Sequence, residues 1–442
     1  MVQDNPPAGA ALAAFLSGPG RSLVPDEARH EARRAVLGFL TCALAGTADP
    51  AYAAARTVAL RHGGDGPARL VDGGRSDIAT AVFLNAIAGN VLDFDDTHLP
   101  TVIHPSAPVV PVLLALAERL RPSGRAFLDD LVLSFEAMAR LGLSVHPDHY
   151  RAGWHITATC GVVGAAVAAC LATGLPPDRT AAAIGIAAGQ AAGLIGNLAE
   201  GAKVVPVGNA ARNGLLSAEF AAAGLSAAPA ILEGRFGFLD VLSRGSRPEA
   251  LVDGLGERWE ILSNTHKPWP TGVVLNPVID ACLALREDGR VRPGAIAAVS
   301  VEGHPLLVDR TDRPSVATTA DARLSVQHTV AVTLLHGPPG LAAFRPDRIA
   351  DPAVAALRAL VSVRAAEDVP VSGARLSVAL AGGGTAEVPM TDDDLVEKLV
   401  ATLAGRADEA ALLALAGRVL GLGEDGEPAD LLAALPRLAA SA

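Results

Sequence analysis

Lysine is rare in this chain, and its rarity makes the individual lysines candidates for chemistry. The sequence holds 36 basic residues, of which only Lys203, Lys267 and Lys398 are lysines. An ammonium group is compact and can exchange protons when its pKa falls, whereas a guanidinium stays charged. We therefore predict that Lys203 and Lys267, in apolar or proline-rich surroundings, serve a site; ordinary surface lysines are the alternative. Lys398 follows several acidic residues and is interpreted as a solvated helix charge.

A second candidate cluster contains three aspartates and two histidines within twelve residues. These are Asp93, Asp95, Asp96, His98 and His104, and they follow an apolar segment that is predicted to be a helix. Carboxylates and imidazoles at this density suit general acid–base catalysis or metal ligation. The spacing is neither an HExxH pair nor an EF-hand loop, so acid–base work is favoured and no metal is predicted. Turn and cap roles are the structural alternative.

His155 is a third candidate because it precedes a long uncharged segment. Burial at the mouth of an apolar helix favours the neutral imidazole over the charged one. A purely structural histidine is the alternative, and only the neighbours of His155 decide between the two. The sequence holds no GxGxxG after a predicted strand, no GxxxxGK[ST], no GxSxG and no CxxC. Nucleotide-binding loops, nucleophile elbows and paired-thiol sites are therefore not predicted.

Charge and composition exclude several classes of function. The formal net charge is −11 and no lysine- or arginine-rich run occurs, so a nucleic-acid partner is not expected. The N-terminal segment lacks the basic stretch that opens a signal peptide, which predicts a cytoplasmic protein. Residues 156–177 and 180–198 carry no charge, but small side chains dominate them and no aromatic belt flanks them. They predict closely packed buried helices, with a membrane hairpin as the disfavoured alternative.

The elements that must position these residues are predicted to be mainly helical. Half of the residues are hydrophobic but only 3% are aromatic, so the core is built from alanine and aliphatic side chains. Apolar residues recur at helical spacing up to about residue 255. Predicted helices there cover residues 26–45, 77–92, 111–120 and 124–143. Helix packed on helix is the expected architecture of this part.

The sequence pattern changes near residue 256 and predicts a smaller α+β region. Strands are predicted at 258–262 and 295–303 and, as a hairpin, at 375–380 and 385–389; helices are predicted at 272–287, 321–336 and 352–360. From residue 392 the chain is again rich in alanine and leucine and is predicted to return to the helical part. The predicted fold is mainly α: a large all-helical domain (1–260), a smaller α+β domain (261–390) and C-terminal helices (391–442).

In their order along the chain, these motifs resemble the MmgE/PrpD family. The motifs that carry the resemblance are Leu92-Asp93-Phe94-Asp95-Asp96-Thr97, His104-Pro105-Ser106, Gly153-Trp154-His155, Lys203 with Gly208-Asn209-Ala210-Ala211, Glu233-Gly234 before Gly237-Phe238, and Lys267-Pro268-Trp269-Pro270. The resemblance covers about residues 10–435, and the combination is specific although each piece alone is weak.

The resemblance implies that the α+β domain is a lid and that the active site lies between it and the helical domain. It also implies a homodimer that needs no metal or organic cofactor and acts on small carboxylic acids. Six residues match positions that line the family's active site: Asp93, Thr97, His104, His155, Lys203 and Lys267. On this basis the two histidines are predicted as an acid/base pair and the two lysines as carboxylate-binding cations. Asp93 is predicted to orient its neighbours, and Thr97 and His98 to bind substrate.

At three positions the sequence departs from the pattern expected of cis-aconitate decarboxylase-like members. Pro206 and Asn276 stand where histidines are expected, and His328 stands where a tyrosine is expected. These changes argue against a tricarboxylate such as citrate or cis-aconitate as the substrate. We predict that Asn276 and His328 bind a different acid, with His328 replacing the tyrosine as a proton donor.

The predicted function is a cofactor-independent lyase acting on a small carboxylic acid, with dehydration beside a carboxylate favoured. Decarboxylation of a cis-aconitate-like acid and epimerisation are the alternatives within catalysis. A catalytically silent binding protein is an alternative of a different class, which the three departures motivate. Such a protein has little reason to retain both lysines and both histidines.

Overall fold

The computed structural model of the protein describes residues 6–287, 293–370, 373–380, 385–386, 402–403, 407–423 and 426–435. The chain divides into two compact units, one formed by Met1–His266 with Leu395–Ala442 and the other by Lys267–Asp394. The fold is mainly α with small sheets and a smaller α+β part towards the C-terminus, which confirms the predicted fold class. The lid and the domain boundaries at residues 260 and 390 stay predictions.

Helices make up most of the described secondary structure, and most of the strands are short. The helices are α1 (Ala8–Leu16), α2 (Gly20–Leu23), α3 (Asp26–Gly46), α4 (Pro50–His62), α5 (Ile78–Asn90), α6 (Ser106–Leu120), α7 (Gly124–Val145), α8 (Asp148–Arg151), α9 (Ile156–Thr173), α10 (Pro177–Ala188), α11 (Val204–Ala222), α12 (Phe238–Leu242), α13 (Asn276–Glu287), α14 (Pro305–Thr311), α15 (Thr319–Arg323), α16 (Val326–His336), α17 (Pro346–Ile349), α18 (Pro352–Arg358) and α19 (Glu409–Leu420). The strands are β1 (Ala68–Arg69), β2 (Arg75–Ser76), β3 (Thr97–His98), β4 (Asn264–Thr265), β5 (Ile296–Gly303), β6 (Val361–Ala365), β7 (Ala374–Leu380) and β8 (Thr385–Ala386).

The uncharged helix α9 is a buried element of the first unit. It packs against α6, α7, α10 and α11. Small residues permit this closeness, because a Cβ atom at Gly214 of α11 would lie only 2.4 Å from the Cβ of Ala165. Among the described residues, α9 is the one helix whose length and composition would allow it to cross a membrane, and 89% of that apolar window is buried within the fold.

Side-chain caps explain where the helices around the site begin. The Asp77 carboxylate accepts the Thr80 N–H at 3.0 Å and caps α5, close to the predicted start. Helix α6 begins five residues earlier than the predicted residue 111, so Pro111 lies inside it. The cause is a cap that is distant in sequence: Asp96 accepts the Ser106 N–H at 3.3 Å and its hydroxyl at 2.6 Å.

Two short strand pairs also belong to the first unit. Strand β1 pairs with β2, and β3 pairs antiparallel with β4 in the register Thr97↔Thr265 and His98↔Asn264. The second pair joins residues that are far apart in sequence. It therefore fixes the loop after α5 against the segment that directly precedes the second unit in the sequence.

The second unit contains a four-stranded sheet in the order β6-β5-β7-β8. Strand β5 runs parallel to β6 and antiparallel to β7, and β7 pairs antiparallel with β8. Its core joins Val299 and Val301 of β5 to apolar side chains of α13 and α16, including Val278 and Val330. The hairpin predicted at 375–380 and 385–389 is confirmed as far as residue 386, and residues 387–389 lie outside the described residues.

The structure corrects several predicted elements. The strand predicted at 258–262 is wrong, because Glu260–Ser263 forms a 3₁₀ turn. There the Glu260 N–H donates to a Glu136 carboxylate oxygen instead of to a neighbouring strand. The helix predicted at 321–336 is two helices, since Ser325 starts a new one by accepting the His328 N–H at 3.1 Å. Strand β6 (Val361–Ala365) was not predicted. Lys398, which was interpreted as a solvated helix charge, lies outside the described residues.

Candidate active site

Asp93 lies in a tight turn directly after α5. Its φ of 56° is in the left-handed region, which aspartate and asparagine tolerate better than most residues with a Cβ atom. Asn90, the last residue of α5, donates through Nδ2 to Asp95 Oδ2 at 2.7 Å. The buried helix and this hydrogen bond hold the turn that presents Asp93.

Two basic side chains lie beside the Asp93 carboxylate. Lys203 Nζ lies 3.2 Å from Asp93 Oδ1, and His104 Nε2 lies 3.8 Å from the same oxygen. Lys203 comes from the 3₁₀ turn that precedes α11, and its side chain is 8% exposed, whereas that of Asp93 is 23% exposed. The structure thus brings together three of the residues that the sequence singled out.

The ring of His104 is oriented by its Nδ1 atom. Nδ1 lies 2.9 Å from the backbone carbonyl oxygen of Asp96 and 3.1 Å from Thr97 Oγ1. A carbonyl oxygen can only accept, so Nδ1 carries the proton in the neutral ring. The lone pair is then on Nε2, the atom nearest Asp93. The backbone N–H of His104 donates to Thr157 Oγ1 at 3.1 Å, which ties this segment to α9.

His155 is held in the opposite tautomer at the start of α9. Its Nδ1 accepts the Ala158 N–H at 3.3 Å, so the neutral ring carries its proton on Nε2. Burial lowers the pKa of His155 to about 3, and the positive charges of His104 and Lys203 act in the same direction. The negative charge of Asp93 opposes this lowering of the pKa. His155 is therefore neutral near pH 7, and its Nε2–H is available as a hydrogen-bond donor.

Gly193 allows the chain to pass beside His155. Its φ is 132°, and a Cβ atom there would lie 3.1 Å from His155 Cβ and 3.2 Å from Pro206 Cβ. The Gly193 carbonyl oxygen accepts the His155 N–H at 3.0 Å. Pro206, which stands where the family pattern has a histidine, therefore packs beside this glycine and offers the site no polar side chain.

Three uncharged polar residues support the site, and none of them is among the site residues predicted from the sequence. Ser106 and Asn264 both donate to Asp96 Oδ2, at 2.6 and 2.9 Å. Burial raises the pKa of Asp96, and the charge of His266 and these two hydrogen bonds oppose the rise. Thr157 accepts from His104 as described above. The sequence signals for these contacts were the aspartate ahead of a predicted helix and the His104-Pro105-Ser106 motif, and neither of them reveals which groups are in contact.

Asp93, Asp95 and His104 are also the described residues that could hold a metal ion. One ligand atom from each lies within 4.8 Å of the others. The fully buried Asp95 places Oδ1 3.9 Å from His104 Nδ1. A cation would compete with the Lys203 ammonium group beside Asp93 and with the hydrogen bond from His104 to Asp96. The geometry therefore favours an acid–base cluster over a metal centre.

His98 does not join this cluster through any contact that the structure shows. It is fully buried, its Nδ1 lies 2.7 Å from Thr101 Oγ1, and its Nε2 lies 3.4 Å from Glu260 Oε2. Although burial raises the pKa of Glu260, its contacts with His98 and Arg258 lower it to about 2. These contacts indicate a structural role, and substrate binding by His98 stays a prediction.

The remaining predicted residues lie in the second unit. Lys267 is 1% exposed. Asn276 is the first residue of α13. His328 of α16 donates through Nε2 to the Ala343 carbonyl oxygen at 3.0 Å, and its Nδ1 lies 3.5 Å from an Arg358 nitrogen. Burial lowers the pKa of His328. The hydrogen bond to Ala343 raises this pKa, and the positive charge of Arg358 lowers it, so the net shift is downward. Their roles in binding and proton donation stay predictions.

Comparison with protein families matches almost the whole chain to two models. The MmgE/PrpD N-terminal domain matches residues 10–251, and the MmgE/PrpD C-terminal domain matches residues 269–420. The first match alone covers more than half of the chain and contains Asp93, His104, His155 and Lys203.

Curated relatives are similar along different shares of the chain. Cis-aconitate decarboxylase-like protein oryM of Aspergillus oryzae is 26% identical over 98% of both chains. Cis-aconitate decarboxylase of Aspergillus terreus is 30% identical over 58% of this chain and 55% of that protein. Human cis-aconitate decarboxylase is 28% identical over 72% of this chain and 71% of that protein.

Proposed function

Because the chain belongs to the MmgE/PrpD family, we propose that it is a lyase that acts on a small carboxylic acid. We place decarboxylation first and dehydration, which the sequence alone favoured, second. Relatives that are named for cis-aconitate decarboxylation support this order. The observation that carries the proposal is the contact of Lys203 and His104 with one carboxylate, that of Asp93.

Lys203 is the proposed binding group for the substrate carboxylate or for the charge that develops beside it. Its side chain is almost buried, and an ammonium group in a poorly hydrated site interacts with anions far more strongly than one in water. Asp93 keeps this charge in place until the substrate arrives. A substrate carboxylate that approaches Asp93 can share the same ammonium group.

His104 is the proposed proton carrier. Its Nδ1 stays bonded to Asp96, so proton transfer occurs at Nε2. In the decarboxylation, the bond between carbon and the leaving carboxylate breaks and its electron pair stays on carbon. Charged His104 then delivers its Nε2 proton to that carbon, and carbon dioxide leaves. His155 donates a hydrogen bond through Nε2 and keeps its own proton.

The difference between the two histidines favours decarboxylation over dehydration. Decarboxylation needs one proton transfer to carbon, whereas dehydration needs a base for one proton and an acid for the departing hydroxyl group. The low pKa of His155, about 3, makes it a poor proton acceptor, and a neutral imidazole is a poor acid. Dehydration would therefore have to use His104 for both proton transfers or Lys203 for one of them.

The reaction can be identified with the full chain and carboxyl-labelled acids. We would incubate it with ¹³C-carboxyl cis-aconitate and with a panel of other di- and tricarboxylic acids, in deuterated water. Release of ¹³CO₂ with one deuteron on the product carbon is the expected result. Loss of water without CO₂ would replace the proposal by dehydration, and deuterium exchange without either loss would indicate epimerisation. Saturable binding without turnover would indicate a binding protein.

Variants assign the roles within this site. His104→Ala is expected to lower kcat by about 10² to 10⁴, the usual contribution of a general acid or base. Lys203→Met is expected to raise KM as well as to lower kcat. His155→Gln, which can keep a donor near the position of Nε2, is expected to retain more activity than His155→Ala. His336→Ala is the matched control, because this histidine is 40% exposed in the second unit and contacts Arg348.

We also propose that the protein works as a homodimer in the cytoplasm without a metal or organic cofactor. The family resemblance supports the first and third statements, and the four cysteines, which are all buried and free, support the second. Light scattering should give twice the chain mass of 44.8 kDa. Dialysis against a chelator should leave activity unchanged, and cell fractionation should recover the protein in the soluble fraction. A monomer, a chelator-sensitive enzyme or a membrane-bound protein would each contradict one statement.

A further inference from the structure

We propose that a cavity between α4, α5 and the start of α11 binds a small amphipathic carboxylate, such as a medium-chain fatty acid. The cavity is open to solvent on one side and has a volume of about 580 Å³, which is within the usual range for small-molecule sites. All of its lining residues belong to the first unit. None of Asp93, His104, His155 and Lys203 lines it, so it is not part of the candidate active site.

The walls of the cavity are apolar and made of small side chains. Helix α4 contributes a stripe that includes Ala51, Ala55 and Val58, and the opposite walls include Phe83 of α5 and Val204. Alanines at helical spacing leave the volume open, where larger side chains would fill it. An aliphatic chain placed there would bury its surface at a gain of about 25 cal/mol per Å². A small polycarboxylate would instead press charged groups against these walls, so the proposed substrate class does not fit.

Arg212 is the one described lining residue whose side chain carries a permanent charge. Among the described residues that line the cavity, none is acidic, although the chain carries a net charge of −11. The Arg212 guanidinium lies over the Phe83 ring, 5.2 Å from its centroid, and donates to Asn209 Oδ1 at 2.9 Å. In the described part of the chain it has no ion pair with a carboxylate. Most of its donors remain for a bidentate contact with an anion.

The cavity wall also joins the segment that carries Lys203. Gly201, Ala202 and Val204 line the cavity, while the Lys203 side chain lies beside Asp93. A ligand in the cavity would therefore contact the backbone on both sides of Lys203. This gives a second readout of the bound ligand, because backbone amides at residues 201–205 should become protected.

The test uses octanoate as the probe, with octylammonium and 1-octanol as controls of charge. Calorimetry should show one octanoate bound per chain and weaker binding of octylammonium. Hydrogen exchange should slow at residues 201–205. Arg212→Gln should weaken octanoate binding about tenfold, the effect of one charge-assisted contact, and leave 1-octanol binding unchanged. Val58→Glu, at a side chain that is 55% exposed, should weaken octanoate binding without endangering the fold.

Three results would overturn the proposal. The first is no binding of octanoate at millimolar concentration, and the second is equal binding of octanoate and octylammonium. The third is a fall in the molecular mass by light scattering for Val58→Glu, which would identify the cavity as part of a subunit interface. Circular dichroism of both variants confirms that a loss of binding is not a loss of fold.

Discussion

The contact of Asp93 with Lys203 predicts a measurable coupling energy. Lys203 Nζ and Asp93 Oδ1 are 3.2 Å apart, and the two side chains are 8% and 23% exposed. At an effective dielectric constant of about 20, two unit charges at this distance attract by about 5 kcal/mol before desolvation. Desolvation of the lysine and the partial exposure of the aspartate offset much of this. We expect a net coupling of about 2 kcal/mol.

A double-mutant cycle isolates this coupling. Asp93→Asn removes the charge but keeps a residue type that tolerates the φ of 56°, so backbone strain does not enter. Lys203→Met and the double variant complete the cycle, and urea unfolding at low ionic strength gives the free energies. Each single variant should be less stable than the parent. The double variant should lose about 2 kcal/mol less stability than the sum of the two single losses.

The exposed contact of Arg121 with Glu427 is the matched control. These atoms are 3.8 Å apart and the side chains are 62% and 67% exposed, so the same cycle should give a coupling of at most about 0.5 kcal/mol. A coupling at Asp93 and Lys203 no larger than this control would refute the reasoning. The ammonium group would then not be held by the carboxylate, and the proposed binding of substrate at Lys203 would lose its basis.

Three further predictions concern stability and pH. Gly46→Ala should cost at least about 2 kcal/mol, because its Cβ would lie 2.1 Å from the Ala88 carbonyl oxygen; an unchanged melting temperature would contradict this. Burial raises the pKa of Asp130 to about 7. The folded state then holds this proton more tightly than the unfolded chain, so stability falls as pH rises from about 4 to about 7; Asp130→Asn should flatten this slope, and a parallel slope would contradict it. His155→Gln should not shift the ionisations in the pH–rate profile between about pH 5 and 9, since the pKa of His155 is about 3.

Helices with local signals were predictable from the sequence. Helix α3 was predicted at 26–45 and runs from Asp26 to Gly46, because acidic residues open it and its apolar stripe faces the core. Helix α5 was predicted to start at residue 77, and Asp77 is the residue that caps it. Glu260 was wrongly predicted to lie in a strand, because its apolar neighbours in the sequence are typical of strands. The group that accepts its backbone N–H belongs to Glu136, which is 124 residues away.

The residue types of the candidate site were predictable, but their contacts were not. Aspartate, histidine and lysine stand out in a sequence because of their chemistry. The contact between Asp93 and Lys203 depends on how α5 packs against α11, and a local sequence pattern does not predict that packing. His98 shows the same limit, because an exposed loop histidine and a fully buried one read alike in a sequence. Asn264 carries no charge and approaches Asp96 from 168 residues away.

The pairing of β3 with β4 has a consequence for anyone who dissects this protein. A fragment cut at residue 251, where the N-terminal family match ends, would keep β3 and discard β4. Asp96 would lose the amide of Asn264, and Glu31 would lose the His266 ring nitrogen that lies 2.6 Å away. Such a piece is expected to express poorly and to aggregate, whereas a junction placed after residue 266 would retain both contacts. Sequence-family borders and autonomous folding units need not coincide.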